Sequence, residues 1–346
     1  MGGKLFPGSK RLIRSDYLKE SFRISNLISD ILQTRVIVPP QIRQKLDFGD
    51  IDTVVVLPDG VTISNYRKIL VDRIPLEKHH TNGNVFSFFD TVSSVQVDLM
   101  FFDYKDWNTA VDFNSFGEYG NLVGKLAHTF GMKYSTSGLR YVYYYNNAKM
   151  CDIILTRETR RILEFLGLSY EKFSKGFDTD IELFEFIINS EYFNIDIFLP
   201  SFQNSVTRGR DKTRPIYWKF IDWLKTEKGY DTDIDPILTY RNITSEQWKR
   251  IDKFFPESKF YEKISNVLEK ENRKKKIAER WNGKILIEKY KDFFDNDRMH
   301  LRKVMAEFVE HIELREITFE RYALMVKDVK FWSDFDNWYT SKYLSK

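Results

Sequence analysis

Lys45-Leu46-Asp47-Phe48-Gly49-Asp50-Ile51-Asp52-Thr53-Val54-Val55-Val56 sets two carboxylates two residues apart at the mouth of an apolar run. Residues i and i+2 of a strand point to the same face. The pattern therefore predicts Asp50 and Asp52 side by side, with Val54-Val55-Val56 anchoring the strand in a core. Two anions held together repel each other unless something positive sits between them, and a divalent metal is the usual answer. A second run, Val95-Gln96-Val97-Asp98-Leu99-Met100-Phe101-Phe102, carries one carboxylate in an otherwise apolar strand. Charges are rarely buried without a partner. If the two strands are neighbours, Asp98 joins Asp50 and Asp52 in a cluster fit to hold two magnesium ions for phosphoryl transfer.

Gly49-Asp50-Ile51-Asp52, a Gly-Asp-hydrophobic-Asp signature followed by a strand bearing Asp98, resembles the polymerase-β-like nucleotidyltransferase superfamily, which includes poly(A) polymerases and CCA-adding enzymes. The resemblance implies that Asp50 and Asp52 bind both metals. It implies that Asp98 is the third ligand and the base for the attacking hydroxyl. Read without it, Asp-x-Asp is a common turn-to-strand pattern, and Asp98 a capped or edge-strand acid. Members of the family carry a Gly-Ser pair shortly before the first Asp, to hold the nucleotide phosphates. Here that offset falls on Val38-Pro39-Pro40, and proline has no N–H to give a phosphate. The nearest Gly-Ser lies in the leader, Gly2-Gly3-Lys4-Leu5-Phe6-Pro7-Gly8-Ser9-Lys10-Arg11. Gly8, Ser9 and Lys10 are thus candidate phosphate contacts; the alternative is an ordinary mobile N-terminus that adds little to the core. The family also places a polar residue and a helix after the third Asp against the nucleotide. Asn121 and Lys125, one helical turn apart, fit that role, or else Asn121 caps the helix and Lys125 is solvated.

Composition bounds the rest. At 346 residues, two domains are expected, or three small ones. Apolar residues make up 42% of the chain, and 29 Phe and 19 Tyr make its cores unusually aromatic. A net charge of +4 is too mild to establish a nucleic-acid partner but is compatible with one. The single Cys151 excludes a disulfide framework or a cysteine metal cluster and suits a reducing cytoplasmic setting. The absence of a long apolar stretch predicts no membrane association.

Leu18, Phe22, Ile24, Leu27, Ile28, Ile31 and Leu32 recur at helical spacing over 15–34, with Ser15 or Asp16 as cap. Helix is also expected over 64–73, and a β-hairpin over 83–102. The first hundred residues thus pattern as α-β-α-β-β. A tyrosine-rich hairpin turning at Asn146-Asn147 follows, and from Thr156 the pattern turns helical through a capping-box start, Thr156-Arg157-Glu158-Thr159. The expected fold class is α+β, with a small mixed sheet in a nucleotidyltransferase domain over 1–155 and a helical, RNA-binding half over 156–346. Residues 198–215 read as a loop whose Arg208, Arg210, Lys212 and Arg214 either contact phosphate or are solvated. Arg273-Lys274-Lys275-Lys276 is the densest basic run and reads either as a solvated helix face or, with Arg280 and Lys284, as one side of an RNA-sized cleft.

The function this predicts is two-metal transfer of a nucleoside monophosphate from an NTP, ATP or CTP, to a hydroxyl, with an RNA 3′ end as acceptor. Adenylylation of a protein or small molecule is the alternative within the enzyme class. The missing Gly-Ser pair favours a different one, a catalytically inactive RNA-binding or adaptor protein.

Overall fold

The computed structural model describes residues 3–145, 148–232, 245–294 and 297–344. The turn expected at Asn146-Asn147, and Gly2 of the leader, lie outside the described residues. The chain folds into two compact units, Met1–Tyr261 and Glu262–Lys346.

Strand β1 (Leu12–Ile13) runs directly into helix α1 (Arg14–Leu32), which delivers the chain to β2 (Val36–Ile37), β3 (Asp47–Phe48) and β4 (Asp50–Leu57). The apolar spacing over 15–34 does form a helix, but with a different inner face. Tyr17, Ser21, Ile24, Ile28 and Leu32 are buried, while Leu18 and Phe22 are 53% and 70% exposed. No side chain caps its start at Ile13, so neither Ser15 nor Asp16 has the expected role. Helix α2 (Ile63–Arg73) opens with a capping box between Thr62 and Asn65. Strands β5 (His79–Asn82), β6 (Val85–Asp90) and β7 (Val95–Asp103) follow, β6 and β7 making the expected hairpin.

The sheet order is β2-β4-β7-β6-β5. Only β4 and β7 are parallel, so the sheet is mixed. Ile51, Val55 and Leu57 of β4, Val95, Val97, Leu99 and Phe101 of β7, and Phe86 and Phe88 of β6 form one apolar face. It shares a core with Ile24, Ile28 and Leu32 of α1 and Tyr66 and Leu70 of α2. Period two then forces Asp50, Asp52, Gln96 and Asp98 onto the opposite face.

Helices α3 (Trp107–Phe113) and α4 (Tyr119–His128) lead to a three-stranded antiparallel sheet of β8 (Met132–Ser135), β9 (Gly138–Tyr145) and β10 (Ala148–Thr156). Helices α5 (Thr159–Phe165), α6 (Tyr170–Lys175), α7 (Asp180–Ile188), α8 (Ser205–Asp211), α9 (Pro215–Thr226) and α10 (Ser245–Phe254) complete the unit. The fold is α+β. The expected capping box at Thr156 is absent: Glu158 stands at the N-cap of α5 with no side-chain bond. The change to helix at Thr156 lies inside the first compact unit. Thr109 Oγ1 donates to the Arg157 carbonyl, Phe116 packs edge-on against Phe173 and Phe177, and Arg43 pairs with Asp178 across it. In the second unit, Trp281 sits among Phe308, Phe319, Phe331 and Phe335 at ring separations of 5.2–5.7 Å. There the helix Arg298–Glu313 packs with its neighbours around an aromatic core.

Candidate metal centre

Strand β4 begins at Asp50, and its parallel register with β7 sets Asp50 opposite Gln96 and Asp52 opposite Asp98. The neighbour relation on which the cluster depends is therefore met. One carboxylate oxygen from each of Asp50, Asp52 and Asp98 lies within 4.8 Å of the others. All three side chains are half-buried.

Their electrostatics follow from that crowding. Burial, then the charges of Asp50 and Asp98, push the Asp52 carboxyl up to about 8. Asp50 is raised too, by burial first and Asp98 second, with Lys45 and a hydrogen bond from the Gly3 backbone opposing. A carboxylate keeps its proton when removing it would place a second anion beside the first in a poorly hydrated site. Lys45 supplies a positive charge that opposes the rise at both Asp50 and Asp52. Burial lowers its pKa, and Asp50 and Asp52 oppose that fall. Tyr17 of α1 stacks on Phe48 at 3.8 Å, and its phenol is raised by burial and then by the charges of Asp52 and Asp50. Oxygen-only donors of net negative charge fit a hard divalent cation such as magnesium.

The comparisons with known proteins add little to this. No family model and no curated protein sequence matches the chain. Among solved structures, that of Leishmania infantum polymerase beta in a ternary P/T complex aligns at 11% identity and a TM-score of 0.33. The alignment covers 40% of this chain and 61% of that one. So slight a likeness assigns no family, and the site is read from its own residues.

The other residues singled out from sequence lie elsewhere in the hydrogen-bond network. Lys125 is 3% exposed, and its ammonium donates to Asp211 at 2.7 Å and lies over the Tyr217 ring. That ion pair takes up the charge expected to meet a phosphate. Asn121 neither caps α4, whose N-cap is Glu118, nor stands free: its amide donates to Glu118 at 3.0 Å. The Ser9 N–H donates to the Phe6 carbonyl and the Lys10 N–H to the Ser94 carbonyl, so two amides of the expected Gly8-Ser9-Lys10 cradle are spent within the protein. The described part of the leader is packed onto the unit: Phe6 is buried edge-on against Phe89, and β1 pairs with β3. The stretch expected as a basic loop contains α8; Arg214 pairs with Glu118, and Asp211 is the buried partner of Lys125. In the second unit Arg280 is likewise committed, to the Val326 carbonyl and to Asp328, both at 2.7 Å.

Two residues not identified as candidates from sequence complete the centre. Gln96 donates its amide to both Asp98 oxygens, at 2.9 and 3.1 Å. Lys45 faces the Asp50–Asp52 pair electrostatically. Gln96 had a legible signal: it is polar, and it stands two residues before Asp98 on a strand.

Proposed function

We propose that the chain is a metal-dependent nucleotidyltransferase that moves a nucleoside monophosphate from an NTP to a hydroxyl. The observation that carries the reading is the convergence of Asp50, Asp52 and Asp98 within 4.8 Å on one face of the sheet. Asp50 and Asp52 are the ligands proposed to be shared by two magnesium ions, and Asp98 is the third ligand. Such ions neutralise charge on transferring phosphates and lower the pKa of an attacking hydroxyl. Asp98, oriented through both oxygens by Gln96, is the proposed acceptor of that hydroxyl's proton. Lys45 is the nearby cation suited to the triphosphate once metals satisfy the carboxylates. ATP or CTP is the proposed donor and an RNA 3′ end the proposed acceptor, with the exposed run Arg273–Lys276 as a phosphate-tracking surface.

One observation favours a second reading, an inactive nucleotidyltransferase-like adaptor. Pro39 and Pro40 offer no N–H, and the Ser9 and Lys10 backbone amides and the Lys125 ammonium are already engaged. Incubation with Mg²⁺ and each labelled NTP, with and without RNA, separates the cases. Label on RNA is expected. Label on protein redirects the acceptor to a protein hydroxyl, and no label with any NTP supports the adaptor.

A further inference from the structure

Gln96 is buried at 6% exposure in the middle of the carboxylate face. Its side chain makes two kinds of contact at once. The amide nitrogen donates to both oxygens of Asp98, while the amide oxygen accepts the Leu5 backbone N–H at 3.0 Å. A glutamine amide has nearly the same shape either way round, so its neighbours must choose its orientation. Here both choose alike, since a backbone N–H can only donate and an ionised carboxylate can only accept. The leader reaches the cluster a second time two residues earlier, where the Gly3 backbone hydrogen-bonds Asp50. Gly3 is suited to that approach. Its φ is +77°, and a Cβ there would lie 1.8 Å from the Gly49 carbonyl oxygen.

We propose that Gln96 is a positioning residue for Asp98, and that the leader segment Gly3–Phe6 works through it to hold the third carboxylate ready for a divalent cation. The proposal rests on the metal reading above and goes beyond it by making the leader part of the centre. Without a bound cation, Asp98 is crowded by two other acidic groups, and free rotation would let it swing away from them. Two charge-assisted bonds from one buried amide oppose that swing and leave lone pairs on both oxygens. The amide stays in place because Leu5 holds its other end, and Leu5 stays because Phe6 beside it is packed against Phe89. Ligating carboxylates held by such outer partners lose roughly 10- to 100-fold in metal affinity when the partner is removed.

The test is Mn²⁺ binding to the full chain, followed by EPR of the free ion, for wild type, Gln96→Met, Leu5→Pro and the double variant. Leu5→Pro deletes the one N–H that orients the amide and keeps the segment's length. Each single variant is expected to raise the Mn²⁺ Kd about 10-fold, and the double variant no further, because both act on the same bond chain. Asp52→Asn marks loss of the centre itself, and Leu70→Ala, in the core on the other face, marks loss of stability alone with an unchanged Kd. If Gln96→Met does not fold, Leu5→Pro alone carries the test. Wild-type Kd in Gln96→Met or Leu5→Pro, with binding lost in Asp52→Asn, overturns the positioning role and spares the metal reading. Multiplying effects in the double variant overturn the link between the leader and Gln96. No saturable Mn²⁺ binding in the wild type overturns both.

Discussion

Asp52→Asn should stabilise the metal-free protein, and by an amount that grows with pH. Asp52 titrates near 3.8 in the unfolded chain and at about 8 in the folded one. Between those values the native state holds a proton that the unfolded chain has released. Wild-type stability therefore falls as pH rises through that window, and the whole loss is present above about pH 8. Asparagine binds no proton there, so the variant has no such loss. At about 1.4 kcal/mol per pH unit the span sets a ceiling on the order of 6 kcal/mol. Water entry and side-chain relaxation in a half-buried site reduce it, leaving an expected gain of about 1–3 kcal/mol. Urea unfolding in chelator at pH 4.5, 7 and 9 (roughly the ends and middle of the window) measures it, with the variant's advantage smallest at the first and largest at the last. Saturating Mg²⁺ should reverse the order, because the wild type gains binding energy that the variant cannot. Equal unfolding midpoints at the alkaline end would refute the reasoning: three carboxylates crowded as described cannot all ionise without cost. Transferase activity in the same variant should fall by several orders of magnitude.

Phe6→Ala should cost about 3 kcal/mol in urea unfolding, the low end for a buried phenylalanine, because the leader is packed rather than free; an unchanged midpoint would return it to a loose terminus. Lys125→Met should cost about 3 kcal/mol by leaving the buried Asp211 only the more distant Arg214, at 3.9 Å, with the KM for NTP unchanged in the folded fraction. A raised KM at wild-type stability would restore Lys125 as a nucleotide contact. Changing Arg273, Lys274, Lys275 and Lys276 to serine should weaken RNA binding and flatten its salt dependence. Arg273 and Lys274 already pair with Glu269 and Glu271, so Lys275 and Lys276 set the expected change, about 0.7 in slope for each lost contact to a single strand. Unchanged affinity at low salt would mark the run as a solvated helix face.

No helix among the described residues is long and apolar enough to cross a membrane. The helical half was legible because its start and stop signals are local. Thr179 caps α7 through Glu182, Asn282 caps the helix Gly283–Lys289, and Asp297 caps the helix Arg298–Glu313, each with its own side-chain bond. Near the end of the chain lie two helices rather than one, Phe319–Met325 and Asp328–Tyr339, separated at extended Val326 and Lys327. Nothing in their residue types announces that break.

The carboxylate face belongs to the sequence alone, because the two-residue period of a strand leaves Asp50 and Asp52 no other arrangement. Pairing was a different matter. That β4 and β7 lie parallel, with Asp52 level with Asp98, depends on a crossover of some forty residues whose closure no local pattern encodes. The fates of the lysines and amides were also decided at long range. Lys125 and Asp211 are 86 positions apart, and Leu5 and Gln96 are 91 apart. A charge reads from sequence as available until the fold brings its partner to it. Burial then makes that partner obligatory, since an ammonium or an amide removed from water must find an acceptor or destabilise the chain.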